Sequence, residues 1–286
     1  MESIVINAPA KVNLRLEIIG KRPDGYHELS TIFQKIGLFD ELILTKSAAS
    51  SISLTVNNPN IASNNTNLAY RAAELLQRHC GVNFGVSIVL KKQIPAGAGL
   101  GGGSSDAAAV LDGCNRLFGL GLDLATLQRL ALGLGADVPF FLAPWATANA
   151  SGVGEILSQA CLAPDLWFII VFPRFSISTA WAYSTFSKDI ILTKTRKNIN
   201  LPYSIAGLSE LRLLLHNDFE RVALPRYPEI AEIKKRLVQS GADGALLSGS
   251  GSSVFGVFES NQVCLEAARQ LEKTIDGDIF IAPNLR

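Results

Sequence analysis

Residues 95–106, PAGAGLGGGSSD, decide how this chain is read. Gly97, Gly99, Gly101, Gly102 and Gly103 leave the backbone there almost without side-chain cover, and Ser104 and Ser105 add two hydroxyls. The stretch after them is apolar at helical spacing, which predicts a helix starting near Asp106 and stopping at Gly119. A helix start aims free N–H groups and the positive end of its dipole at the preceding loop, an arrangement suited to a phosphate. The plain alternative is a tight turn, and so many glycines directly before a helix argue against it. Two familiar phosphate loops fit poorly. No lysine precedes Ser104, so the Walker A pattern fails. G-x-G-x-x-G does match at Gly97, Gly99 and Gly102, but the second strand ending in an acid that a dinucleotide fold requires is missing. Asp123 has nearly the right spacing, yet the residues before it are broken by glycines and lack β-branched side chains.

Outward from the loop, alternating residues predict strands at Ile4–Ile6 and Val12–Ile18, broken at Ala8-Pro9, then a turn at Pro23-Asp24-Gly25. Further strands are expected at 41–44, 51–56 and 86–90. Residues 57–67 read as an Asn-rich loop, and a helix capped by Gly81 follows. Downstream, helices are expected at 124–134, 229–239 and 263–273, and strands at 165–172, 245–247 and 254–258. The polar stretch 190–200 reads as a surface loop, and SGSGSS (residues 248–253) as a second glycine loop. Strands and helices mix without a βαβα rhythm, which points to an α+β chain of two domains, 1–160 and 161–286.

Composition narrows the function. The 286 residues are 48% apolar and 18% charged, with a net charge of +1. That balance supplies no basic field for nucleic acid. The apolar uncharged run between Asp137 and Glu155 is interrupted by Pro139, Pro144 and Gly152, whereas a spanning helix wants about 20 apolar residues. The amino terminus reads as neither a signal nor a transit peptide, so a cytoplasmic protein is expected. Cys80, Cys114, Cys161 and Cys264 are far apart, with no C-x-x-C, and read as buried reduced thiols. No pair among His27, His79 and His216 has metal-ligand spacing.

Three blocks, APAKVNLRL near the amino terminus, PAGAGLGGGSSDAAAVL in the middle and LSGSGSSVFGVF near the carboxyl terminus, together resemble the GHMP kinase superfamily across essentially the whole chain. The resemblance implies an α+β two-domain fold, with a ribosomal-protein-S5-like amino-terminal domain, a ferredoxin-like carboxyl-terminal domain and the active site in the cleft between them. PDGYHEL (23–29), GADVPFFL (135–142) and GVGEIL (152–157) are similar to the branch that acts on a cytidine-diphosphate-linked methylerythritol. This implies phosphorylation of that substrate's 2-hydroxyl by ATP with Mg2+, in isoprenoid precursor synthesis by the non-mevalonate route. Another small-molecule kinase of the superfamily, or a catalytically dead ligand-binding relative, is the competing reading.

The resemblance also distributes roles. Asp137, in Gly-Ala-Asp-Val-Pro, would be the catalytic base, though alone it reads as a cap or turn aspartate. Lys11 would pair with Asp137 and hold it ionised; by itself it is a solvated strand lysine. Asn13 falls on the face of Lys11 if the strand is regular and could bind substrate. Tyr26, His27 and Tyr183 would hold the cytosine by stacking and hydrogen bonding, where bare odds make the first two turn-packing residues. ATP would lie along Pro95, Ala96, Gly97, Ala98, Gly99, Leu100, Gly101, Gly102, Gly103, Ser104 and Ser105, the two serines meeting phosphate or Mg2+ or else capping the helix. Lys92 would neutralise phosphate or touch the ribose, and Asn67 would help hold the adenosine or serve as an N-cap. Asp106 reads as a helix-stabilising acid in the first turn.

Overall fold

The computed structural model describes residues 2–189 and 201–286, so the loop expected at 190–200 lies outside the described residues. Its chain divides into two compact units built from interleaved segments.

The first unit comprises Met1–Ala10, Phe39–Ala96 and Gly101–Pro144. Strand β1 (Ser3–Lys21) starts in it, and the later part of β2 (His27–Ser47) belongs to it. Glu41–Ser47 of β2 pairs antiparallel with β4 (Gly85–Lys91), which lies parallel to β3 (Ile52–Val56). Four helices complete the unit: α1 (Leu68–Cys80), α2 (Gly102–Phe118), α3 (Leu124–Leu132) and α4 (Val138–Leu142). Helix α1 presents Ala69, Ala72, Ala73 and Leu76 to the core at helical spacing and ends on Gly81 with φ 65°. Strands and helices share one apolar core around Leu42, Leu44, Ile88, Val110 and Leu111.

The second unit comprises Lys11–Leu38, Gly97–Leu100 and Trp145–Arg286. Here Thr31–Gln34 of β2 pairs antiparallel with β5 (Thr147–Ser151), and β5 with β6 (Ile156–Leu162). A separate antiparallel sheet includes β7 (Trp167–Phe172). After it come α5 (Thr179–Asp189), β8 (Ser204–Ile205), which runs parallel to β6, α6 (Leu208–Leu214) and β9 (His216–Asn217). Helices α7 (Glu220–Arg226) and α8 (Pro228–Gln239) precede β10 (Gly244–Leu247) and β11 (Val254–Phe258); α9 (Asn261–Leu271) and β12 (Asp278–Pro283) end the chain. The separate sheet has the order β10-β11-β7-β12. Strand β7 is central and almost wholly apolar, as a strand buried on both faces must be. Its Ile169 and Val171 join a core with Phe186, Phe219, Ile230 and Leu237.

Several expectations need correction. Pro9 does not break β1, because a missing N–H costs one ladder bond while its fixed φ suits an extended chain. Helix α2 starts at Gly102 rather than near Asp106. The expected helix 124–134 ends at Leu132, with α4 following as a separate turn. Residues 27–40 are strand, and β5, β6 and β12 are strands that the periodicity did not mark. The cysteines are free, but only Cys114 and Cys264 are buried; Cys161 is exposed.

Lys35, on β2, has a buried side chain at 8% exposure, and burial pushes its ammonium down to about 8. A lysine whose folded value lies below its unfolded value of 10.5 binds fewer protons in the native state, so stability rises with pH between these two values. From pH 8 to pH 10 the parent's thermal midpoint should therefore rise by about 2–4 °C relative to that of Lys35→Met. Scanning calorimetry checks this; parallel midpoints across that range contradict it.

Candidate active site

The predicted residues fall into two groups, one in each unit. In the second unit, β1 carries Lys11, Asn13, Arg15 and Glu17 on one face and the buried Val12, Leu14, Leu16 and Ile18 on the other. Lys11 is not the solvated lysine of the sequence reading alone. It is 4% exposed, and its Nζ donates to Asn13 Oδ1 at 2.7 Å. Asn13 Nδ2 donates to Thr31 Oγ1 at 2.8 Å, and Thr31 Oγ1 donates to Arg15 O at 2.6 Å. The ammonium also stands 5.2 Å from the centroid of the Phe33 ring. This directed chain fixes the lysine's position in surroundings where an unpaired polar group is costly.

The backbone of the glycine loop runs beside Lys11. Lys11 N donates to Leu100 O at 2.9 Å, and Ser253 N donates to Ala98 O at 3.1 Å. Ser248 Oγ donates to Gly99 O at 2.9 Å. Gly99 has φ 77°, and a Cβ there would stand 2.0 Å from Ser248 O, so only glycine fits. The two glycine loops are therefore in direct contact through Gly97–Leu100, within one compact unit.

The turn at 23–25 forms as expected: Gly25 takes φ 89°, Gly25 N donates to Arg22 O, and Asp24 accepts from Tyr26 N. It leaves Tyr26 exposed at 65% and His27 buried at 8%. The His27 ring stacks on Tyr183 with centroids 4.8 Å apart, while Phe219 meets Tyr183 edge-on. Ser187 Oγ donates its one proton to Tyr183 O, so at 2.6 Å it accepts from His27 Nε2. Burial, then the Lys21 charge, hold the imidazole below its ordinary value. A neutral ring with its hydrogen on Nε2 presents Nδ1 as an acceptor.

In the first unit, α2 starts at Gly101, an N-cap with φ 70° and no side-chain cap bond. Neither Ser104 nor Ser105 caps the helix; Ser105 is buried and its Oγ has no hydrogen-bond partner among the described residues. Pro95 and Ala96 lead into this stretch. Asn67 caps α1: its Oδ1 accepts from Ala69 N at 2.9 Å and its Nδ2 donates to Ala62 O. Asp137 precedes α4 without a side-chain cap bond and is half-buried. Asp106 is not the first-turn acid expected, because α2 starts at Gly102, and it is buried. Lys92 Nζ donates to it at 2.8 Å and also to the fully buried Asp40. Asp40 Oδ1 in addition accepts from the Gln93 and Ile94 amides. Burial raises the Asp106 carboxyl to about 7 against the pull of Lys92; for Lys92, burial lowers the value and the two carboxylates outweigh it, for a net rise. The ammonium lies against the helix start, since a Cβ on Gly102 would come within 3.1 Å of Lys92 Nζ.

Sequence reasoning missed Thr31, Ser187 and Asp40. Ser187 could have been found, because it lies one helical turn after Tyr183; Thr31 and Asp40 stand in strand stretches that carry no motif.

Family models agree with this geometry. One for the GHMP kinase N-terminal domain matches residues 67–143, and one for the GHMP kinase C-terminal domain matches 204–276. Solved structures of a homoserine kinase from Cytophaga hutchinsonii (TM-score 0.73, 17% identity) and an L. major mevalonate kinase (0.74, 15%) share the fold over 99% and 98% of this chain and 96% and 95% of theirs. The fold and the paired glycine loops thus define a GHMP kinase. A solved 4-(cytidine 5'-diphospho)-2C-methyl-D-erythritol kinase matches more closely than those two, with TM-score 0.80 and 37% identity over 98% of this chain and 99% of its own. Relatives called 4-diphosphocytidyl-2-C-methyl-D-erythritol kinase in Geobacter metallireducens and Prosthecochloris aestuarii are 44% and 43% identical over 96% of both chains. The chain belongs to the 4-diphosphocytidyl-2-C-methyl-D-erythritol kinase family.

Lys92→Met would leave two buried carboxylates without their cation. It should lower the unfolding free energy in urea by about 3–5 kcal/mol. Asp106→Asn, which leaves a one-to-one pair, should cost much less. Equal losses for the two variants would show that the contact does not rest on charge.

Proposed function

We propose that this protein transfers the terminal phosphoryl group of ATP to the 2-hydroxyl of 4-diphosphocytidyl-2-C-methyl-D-erythritol, giving ADP and the 2-phosphate, as a cytoplasmic enzyme of isoprenoid precursor synthesis. Residues 1–160 would serve mainly ATP binding and 161–286 complete the enzyme. Chain-length identity to relatives of that name supports the reading, and the observation that carries its specificity is the contact of His27 Nε2 with Ser187 Oγ, which directs the ring hydrogen to Nε2. An Nδ1 acceptor suits the exocyclic amino group of cytosine and opposes the carbonyl that uracil carries there. Tyr26, exposed beside it, and Tyr183 supply aromatic surface for the base.

Phosphoryl transfer asks mainly for positioning and charge neutralisation. In this proposal Asp137 accepts the hydroxyl proton, Lys11 lowers that hydroxyl's pKa and keeps the aspartate ionised, and Asn13 orients both lysine and substrate. Backbone amides from Gly97 to Ser105 face the phosphates, with Pro95 and Ala96 beside the nucleotide and Asn67 near the adenosine. Lys92 acts from beneath, by fixing the start of α2. Among the described residues no group of three or more His, Cys, Asp or Glu could hold a metal. Mg2+ would arrive as part of Mg-ATP, held mostly by phosphate oxygens, with Ser105 Oγ, which has no partner among the described residues, as a fitting protein donor. Bound there, it would neutralise charge on the phosphates.

Two measurements check the reading. Asp137→Asn should slow turnover by about 10²–10⁴-fold with ATP affinity kept; a rate within a few-fold of the parent removes Asp137 as the base. His27→Ala should cut kcat/KM by about tenfold or more, as loss of a hydrogen bond to a buried partner costs about 1–3 kcal/mol. Uridine in place of cytidine should hurt the parent and matter much less in the variant. A variant that keeps the parental preference for cytidine shows that His27 does not read the base.

A further inference from the structure

No motif of the sequence marks Asn217. In the structure it sits on β9, paired in parallel with Leu16 of β1, and is 3% exposed. Every polar atom of its side chain is used. Nδ2 donates to Leu247 O at 2.7 Å and to Gly249 O at 2.8 Å, and Oδ1 accepts from Phe219 N at 2.9 Å. The next residue ties the same segment to β1: Asp218 N donates to Leu16 O, and Ile18 N donates to Asp218 Oδ2.

The loop that Asn217 grips is also tied to Gly99 O and Ala98 O through Ser248 Oγ and Ser253 N, and Leu247 N donates to Glu220 Oε1. Gly249 and Gly251 take φ 56° and 92°, and the internal bonds are Gly251 N to Ser248 O and Ser248 N to Ser253 O. Ser250 and Ser252 are tied elsewhere, to Thr179 Oγ1 and Phe175 O. Gly249 is the member that faces Lys11. A Cβ on it would lie 3.6 Å from Lys11 Nζ and 3.2 Å from Gly99 O. A shift of the Gly249 carbonyl would therefore move the wall against which the ammonium rests.

We propose that Asn217 is a positioning residue for phosphoryl transfer, a clamp that holds the 248–253 loop against Lys11 and the Gly97–Leu100 backbone. This rests on the kinase reading above, in which Lys11 acts on the reacting hydroxyl. Asparagine suits the task because the position needs two donors and one acceptor on one short side chain. Aspartate has the same shape but turns an oxygen towards two carbonyl oxygens.

The test is a double-mutant cycle on the full-length enzyme with ATP and the cytidyl substrate. Asn217→Asp should lower kcat by about 10- to 100-fold, the scale of a misplacement of about 1 Å at a reacting centre. KM for the cytidyl substrate should change little. In a Lys11→Ala background, followed by single turnover, the same change should cost less than about threefold, because residues acting as a unit are non-additive. A residue that only supports the fold would cost the same factor in both backgrounds, and that result overturns the clamp. So does parental kcat in Asn217→Asp. If Lys11→Ala itself turns over at the parental rate, the role of Lys11 fails and the clamp falls with it, an outcome distinct from the other two. Should Asn217→Asp not fold, Gly249→Ala disturbs the same wall with Asn217 intact, and the same cycle applies: equal losses in both backgrounds overturn the proposal.

Discussion

The second unit depends on a close approach of bare backbones. The Gly97–Leu100 ribbon lies between the Lys11 amide and the 248–253 loop, and it bonds to both through main-chain carbonyls. No side chain fits at Gly99, where Ser248 O already occupies the place of a Cβ. Glycine is required here for contact as much as for its φ. The neighbouring residues of the ribbon, Ala98 and Leu100, are each 1% exposed.

Two lysines that look alike in the sequence have been given different tasks by their neighbours. Lys11 donates to a neutral amide at the head of a directed chain, which fixes where its charge stands. Lys92 meets two carboxylates and is spent on them. Burying that triad is a poor way to gain stability, since the desolvation of three charged groups offsets much of their attraction. It does fix geometry: Asp40 ties the ammonium to the Gln93 and Ile94 amides, and the ammonium abuts Gly102 at the first turn of α2.

The features legible in the sequence were those written locally. The helix α1 with its Gly81 cap, the turn at Gly25, the buried strand β7 and the second glycine loop all follow from spacing and turn chemistry within a few residues. The start of α2 was misjudged by four residues, because glycines read as loop even when they form the first turn of a helix. Strand β9 was invisible: two residues have no periodicity, and their partner in β1 lies some two hundred positions earlier. The burial of Lys11 and Lys92 was equally hidden, since a charged residue on an alternating strand looks solvated until its partners are known. Asn13 was placed correctly beside Lys11 because the period of a strand settles that neighbour without any tertiary information.

The interleaving of the units also bears on how the chain can be made. All segments of the first unit have been synthesised once Pro144 is in place, so its core can close early. The second unit must wait. Arg15 and Leu16 find their β9 partners only at His216 and Asn217, and Phe168–Val171 gain β12 only near the last residues. Pairings this distant in sequence close slowly, because loop entropy is lost before the contacts reward it. Lys11 and the 97–100 ribbon therefore emerge from the ribosome long before the loop that encloses them. The apolar face of β1 spends that interval uncovered, which makes the nascent chain rather than the finished enzyme the stage most exposed to aggregation.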